Sequence, residues 1–426
     1  MISYSDKFNT AIQNSFFEKL DLQHQEFLRS ISFSYQFSHQ EIKQLTDIAR
    51  DLNMWDEKSI ITLFEENSLS ELESKKLVFK KLRSLYEKIR NTPNSYENFQ
   101  LKNVPSEQKY KFTTEQKEGF GLGLCPVASE KTRCCNLLTL DAVESCGFDC
   151  SYCSIQSFYK QNTITFDSSF AQKLQNLQLD PNKTYHIGTG QSSDSLMWGN
   201  REGVLDALFD FAKNNQNVIL EFKTKSDNIS YFLENEVPKN ILCTYSLNTQ
   251  TIIDNEEHLT ASLTKRINAA RKLADKNIKV GFHFHPIVEY KGYLDEYQEV
   301  YELLLKTFTP DEVALVSFGT LTFIKPVIKQ LRNREFRTKI TQIPHADASG
   351  KTSYPEKTKI EMFKHAYESF KPWHPTKENK NVFFYLCMEE HSLWNKTFGY
   401  NYSTNNDFER AMISAYAEKV GIDFLI

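Results

Sequence analysis

Between residues 138 and 335, short apolar runs and amphipathic runs alternate with a regularity that leaves few folds open. Strands are expected at 138–141, 185–188, 218–224, 241–247, 280–286 and 313–318, and helices at 201–214, 228–235, 259–274, 294–306 and 324–334. Runs such as Val218-Ile-Leu-Glu-Phe-Lys-Thr224 have the length and residue types of buried strands, and the stretches between them repeat their apolar residues at helical spacing. Six β/α units in about 195 residues imply a parallel sheet with crossover helices. Six are too few to close an eight-fold barrel, so the expected architecture is α/β, a partial (β/α)6 barrel. In such folds the chemistry gathers where strands end and loops begin.

The flanks read differently. Residues 1–100 are expected to be all-helical. Ser38-His-Gln-Glu41 has the form of a capping box, followed by Ile42, Leu45, Ile48, Ala49 and Leu52 at helical spacing. The amphipathic run 69–90 carries Lys75, Lys76, Lys80, Lys81, Arg83, Lys88 and Arg90, balanced by Glu71, Glu73 and Glu87. A solvated helix face explains it better than a nucleic-acid surface. Residues 101–137 read as a linker containing Gly119-Phe-Gly-Leu-Gly-Leu-Cys-Pro126 and the cysteines 125, 134 and 135. No strand-to-helix context makes the glycines a phosphate loop. Two adjacent cysteines serve one tetrahedral metal poorly, so packing outranks an auxiliary metal site there. Residues 336–426 read as an α+β extension, with a strand at 382–388 and a helix at 405–420 that cover the open side of the barrel. No run of 18 apolar residues is present, and the N-terminus lacks a basic-then-apolar leader, so a cytoplasmic protein without a membrane partner is expected. Eight cysteines in 426 residues make no disulfide scaffold. A net charge of −4 neither advertises nor excludes nucleic-acid binding, because a basic groove is a local feature.

The first strand runs into Cys146-Gly-Phe-Asp-Cys150-Ser-Tyr-Cys153. A structural zinc site wants four ligands, usually in two separated pairs. Three thiolates on one short loop instead suit three irons of a [4Fe–4S] cluster, with the fourth iron open for a small ligand. Tyr152 stands where an aromatic can wall such a cluster. The strand–loop arrangement resembles the radical S-adenosylmethionine (SAM) enzymes. That resemblance implies SAM on the open iron, reductive release of a 5′-deoxyadenosyl radical, and a reductant such as flavodoxin or ferredoxin.

The other strand ends carry polar groups on the same face. The second ends in Gly188-Thr-Gly190-Gln191-Ser-Ser193-Asp194, the third in Lys223-Thr-Lys225, the fourth in Ser246-Leu-Asn248, and the fifth in His283-Phe-His285-Pro286. Gly188 and Gly190 let backbone approach a ligand. His283 and His285, two apart, share one side of their strand and read as substrate-bonding or barrel-lining groups.

Taken in order, the cysteine loop, Ser192-Ser-Asp194, Phe222-Lys-Thr-Lys225, Ser246-Leu-Asn248, Arg266-Ile-Asn-Ala-Ala270 and Val280-Gly-Phe282 resemble spore photoproduct lyase and its relatives over residues 138–335. The resemblance implies reversal of a methylene-bridged thymine dimer in DNA by hydrogen abstraction, bond scission and return of a hydrogen. It implies SAM contacts from the positions of Ser193, Lys225 and Ser246, and a hydrogen relay through that of Tyr152. Two positions depart. The spore enzyme has a hydrogen-donating cysteine where this chain has Gln191, and a tyrosine where it has Ser154. Three readings therefore compete. The first is a DNA-repair lyase, with Lys325, Lys329, Arg332, Arg334, Arg337 and Lys339 as candidate DNA-facing cations. The second is a radical SAM enzyme with another substrate, which Gln191 favours. The third is a non-catalytic Fe–S protein that binds DNA or senses redox state, which the set of strand-end residues disfavours.

Overall fold

The computed structural model describes residues 3–425 apart from 14, 68, 70–72, 102–109, 119–121, 126–130, 160–161, 349 and 376–381. Residues 119–121 and 126 of the glycine-rich run at 119–126 lie outside the described residues. The chain forms two compact units, one of residues 1–105, 289–291 and 323–346, the other of residues 106–288, 292–322 and 347–426.

The larger unit is built on the expected sheet. Its strands are β1 (Leu138–Leu140), β2 (Tyr185–Thr189), β3 (Val218–Thr224), β4 (Ile241–Ser246), β5 (Lys279–Ile287) and β6 (Val313–Thr320), parallel and in sequence order. Val218, Ile219, Leu220 and Phe222 of β3 are fully buried, as expected of a parallel sheet covered on both faces. The sheet is longer than the sequence pattern indicates. The C-terminal strand β7 (Phe383–Leu386) adds to β6 in parallel, and Leu122–Leu124 pairs with β1 antiparallel at the other edge. β7 is therefore a seventh parallel strand, not a cover. The covering is done by the helix Asn405–Val420, which reaches from one side of the curled sheet to the other. Its Phe408 stacks on Phe383 of β7, while its Tyr416 meets His186 of β2 edge-on.

A second correction concerns the helix expected at 259–274, which begins only at Leu263. The residues before it are otherwise engaged. Glu257 and His258 form a two-residue strand pairing antiparallel with Asp149–Cys150, and Ser262 caps the helix by accepting the Lys265 N–H. Periodicity continues across this segment, but backbone pairing with the cysteine loop takes it out of the helix.

The smaller unit is helical. Its helix His39–Met54 starts with the expected capping box, Ser38 accepting the Glu41 N–H and Glu41 the Ser38 N–H. The helix expected after β6, observed as Lys325–Asn333, belongs to this unit. Arg332 holds Asp51 with two 2.7 Å bonds and lies 3.3 Å from Asp47, Arg337 lies 2.5 Å from Asp56, and Lys339 lies 2.8 Å from Glu57. Three of the six candidate DNA-facing cations thus neutralise carboxylates of their own unit, while Lys325 and Lys329 are exposed. The basic helix, Lys75–Asn91, buries Val78, Leu82 and Tyr86. It pairs Lys75 with Glu41, Lys81 with Glu73 and Arg83 with Glu87, the pattern of a solvated face. No helix among the described residues is long and apolar enough to cross a membrane.

Candidate active site

A pocket opens at the C-terminal end of the parallel strands. Its lining includes Cys146, Cys150, Tyr152 and Cys153 from the loop after β1, and Gly190, Gln191, Ser193 and Asp194 from the loop after β2. Lys223 and Lys225 line it from β3 and its end, Ser246 from β4, and His285 from β5. Of the twelve residues singled out from the sequence, ten meet here. The other two, Gly188 and Asn248, are buried beside the pocket. A Cβ on Gly188 would come within 3.3 Å of Leu137, and Asn248 spends its amide on Pro286 O, Thr249 N–H and the Tyr297 hydroxyl.

The cysteine loop is held from three sides. Cys146 Sγ accepts the Phe148 N–H at 3.4 Å, and the Gly147 carbonyl accepts the Tyr110 hydroxyl. Asp149–Cys150 pairs with Glu257–His258. Met197 and Trp198 close over Gly147 so tightly that a Cβ there would lie 2.4 Å from Met197 Cε and 2.7 Å from the indole. Only glycine fits. We expect Gly147→Ala to displace Met197 and Trp198 and cut iron retained after anaerobic reconstitution at least several-fold, measured as iron per chain, because overpacking of this kind forces side chains and backbone to shift.

Asp194 works as a brace. One oxygen accepts the Leu196 and Met197 N–H groups and the Thr224 hydroxyl, and the other accepts the Lys225 N–H at 2.8 Å. It fastens the loop after β2 to the end of β3, and its carboxylate is saturated by this chain. Burial raises its pKa. Gly190 adopts φ +71°, and a Cβ there would sit 2.6 Å from Ser195 N, so this turn needs glycine twice over. Ser193 accepts the Trp198 indole N–H at 3.2 Å.

Sequence reasoning missed two residues of consequence. Tyr152 donates its hydroxyl to Glu257, and Glu257 in turn meets Arg266 at 2.6 Å. Arg266 is fully buried and also donates to Ser246 O at 2.8 Å, Ala261 O and the Thr260 hydroxyl. Lys225 Nζ lies 5.3 Å from the Tyr152 ring centroid, within cation–π range. Burial works against the Glu257 charge, yet Arg266 and Lys225 hold its carboxyl below the usual range. Burial and the Glu257 charge together push Tyr152 well above the ordinary phenol value, so it stays a neutral O–H. Arg266 was visible only as part of a motif on an amphipathic helix. Glu257, in a run expected to lie at a helix boundary, carried no signal.

Three thiols line the pocket among the described residues, and all belong to the loop. Burial raises the pKa of Cys146 and Cys150, so holding thiolates there calls for a compensating positive group. No three His, Cys, Asp or Glu side chains among the described residues converge on a point that suits one metal ion. Cysteines that each take a different iron of a cluster need not converge, so the loop fits a cluster better than a mononuclear site. Cys125, Cys134, Cys135, Cys243 and Cys387 do not line the pocket. Cys243 is fully buried on β4, and Cys134 is fixed by its N–H to Asn405.

Comparison with known proteins decides the lineage. The spore photoproduct lyase family profile matches residues 60–355. The chain belongs to that family. Among relatives, it is 26% identical to the spore photoproduct lyase of Clostridium acetobutylicum over 167 residues, 38% of this chain and 49% of that protein. It is 23% identical to that of a Geobacillus species over 202 residues, 46% of this chain and 59% of the relative. The chain thus spans about half the length of the curated relatives it matches. A solved spore photoproduct lyase with bound AdoMet and dinucleoside spore photoproduct superposes with a TM-score of 0.53 at 19% identity, covering 67% of this chain and 87% of the other. At that identity the likeness shows the fold alone.

Proposed function

We propose that this protein is a radical SAM enzyme of the lyase type, acting on a thymine photoproduct in DNA. The observation that carries the reading is the meeting of Cys146, Cys150 and Cys153 with Tyr152, Lys225 and Ser246 in one pocket at the strand ends. When bound there, a [4Fe–4S] cluster with an open iron would supply reductive cleavage of SAM to methionine and a 5′-deoxyadenosyl radical. Cys146, Cys150 and Cys153 are the residues to hold it. The Gly190 turn, with no side chain in the way, offers backbone to the amino-acid end of SAM. Ser193, Lys225 and Ser246 offer polar contacts around it. Tyr152, hydrogen-bonded to Glu257, is a phenol O–H at the wall of the pocket, placed to give or accept a hydrogen atom. Family membership supports DNA as the substrate, and a one-electron reductant of the flavodoxin or ferredoxin type completes the set.

Gln191 favours a second reading, in which the same radical is spent on another substrate. It lines the pocket at the position of the family's hydrogen-donating cysteine, and the pocket's only thiols among the described residues are the three of the cluster loop. One experiment separates the two. Anaerobically reconstituted protein is incubated with SAM, dithionite and DNA carrying the spore photoproduct. Thymine recovered together with 5′-deoxyadenosine supports the first reading. 5′-Deoxyadenosine without thymine selects the second, and neither product overturns both.

A further inference from the structure

Beneath the pocket, the inward faces of five strands form a closed polar chain. Glu221 of β3 is fixed by His186 of β2 at 2.7 Å, His283 of β5 at 2.7 Å and the Thr244 hydroxyl of β4 at 2.6 Å. The other nitrogen of His283, Nδ1, lies 2.6 Å from Ser317 Oγ of β6, and Ser317 Oγ lies 3.0 Å from Nε2 of His285. Glu221, His283 and Ser317 are each 3% exposed or less, so no water competes for these bonds. Side chains two residues on along a strand return to the same face. Lys223 and His285, two past Glu221 and His283, therefore surface in the pocket directly above this layer.

The chain has a direction. An ionised Glu221 only accepts, so His283 must donate to it from Nε2. Its partners, outweighing burial, hold the Glu221 carboxyl well below its usual range. Burial, reinforced by Lys223, takes His283 down to about 4, so its Nδ1 carries a lone pair at neutral pH. That lone pair accepts the one hydrogen of Ser317. Ser317 Oγ can then only accept from His285, which puts the His285 proton on Nε2 and leaves Nδ1 bare. His285 Nδ1 has no hydrogen-bond partner among the described residues, yet it is not among the buried unsatisfied atoms, so it is open to the pocket. The opposite edge of the ring, Cδ2, is turned to Gly319. Lys223 lines the same pocket from β3, and its charge bears on His285.

We propose that His285 Nδ1 is a fixed hydrogen-bond acceptor that reads the imide N–H of a pyrimidine ring, with Lys223 on the neighbouring carbonyl, and that Glu221, His283 and Ser317 are positioning residues that set its polarity. A donor and an acceptor lining one pocket can meet the N–H/C=O edge of thymine or uracil. A ring without that N–H leaves the buried face of the site unpaired, which sites of this kind reject strongly. The inference rests on the substrate class proposed above, and it names groups that would choose that class.

The test uses the anaerobically reconstituted full chain with SAM present. Binding of the dinucleoside thymine photoproduct is compared with that of its N3-methylated counterpart. The wild type should bind the methylated form about tenfold or more weakly. Ser317→Ala removes the oxygen that holds the His285 proton on Nε2, so the ring can carry its proton on Nδ1, and binding of the parent should fall and the discrimination narrow. Should Ser317→Ala not fold, His285→Phe, in a half-buried position, removes the acceptor, lowers binding of the parent by a similar factor and abolishes the discrimination. Equal binding of the two forms by the wild type, or discrimination retained in His285→Phe, overturns this inference alone. No binding of the parent while SAM is still cleaved overturns the substrate class and this inference together.

Discussion

Cys150→Ala should leave a folded chain that makes no 5′-deoxyadenosine from SAM. Two thiolates remaining on the loop cannot hold three irons, and the large term that the site supplies, one-electron cleavage of a carbon–sulfur bond, goes with the cluster. Iron per chain after reconstitution and product formation should both fall to background. Cys146→Ala and Cys153→Ala should match it, since each takes a different iron. Cys243→Ala should retain iron, because Cys243 faces the packed side of β4 and lines no part of the pocket. If Cys150→Ala kept a full complement of iron and turned over SAM, the cysteine loop would not be the cofactor site.

Arg266→Met should be the most damaging single change away from the cysteines. The guanidinium is 0% exposed, and it is the cation closest to Glu257, whose side chain is itself 1% exposed. Removing it leaves a buried carboxylate with only the Tyr152 hydroxyl, Asn248 and the more distant Lys225 for compensation, and breaking a buried pair in this way costs about 3–5 kcal/mol. Three more hydrogen bonds, to the last residue of β4 and to Thr260 and Ala261, are lost as well. A urea or thermal unfolding midpoint, set against the wild type, measures the loss. The double variant Arg266→Met with Glu257→Gln should recover part of it, because the stranded charge is gone. A double variant no more stable than Arg266→Met would show that the ion pair is not the reason for the loss.

What could be read from the sequence follows from how local each signal is. The strands β1 to β6 announce themselves because each is a short buried run whose neighbours are turns and amphipathic helices. The capping box at Ser38 sits within four residues of chain. The cysteine loop is legible for the same reason: its spacing is its chemistry. The seventh strand was found as a strand, but its partner, β6, lies some sixty residues upstream, so its place in the sheet was not. Glu257 was invisible because its role is made by pairing with Asp149–Cys150, a contact across more than a hundred residues that no periodicity reports. The cations after β6 were misleading for a related reason. Charge clusters are plain in a sequence, and the carboxylates that neutralise them, Asp47, Asp51, Asp56 and Glu57, are far away in it. His285 was flagged only as one of a pair. The difference between the two histidines, one sealed in the polar layer and one open to the pocket, comes from the height of each along its strand.

The bond between Tyr152 and Glu257 joins residues 105 positions apart. During synthesis at about 5–20 residues per second, the cysteine loop therefore waits roughly 5–20 seconds for the segment that fixes it. Until then three thiols lie on a loop that lacks its pairing with Glu257–His258. A cell that makes this protein in air has that interval in which to oxidise them, and one that delivers iron and sulfide late delivers them to a loop already set. Expression yield of cluster-bearing protein should thus depend on oxygen during translation as well as on oxygen afterwards.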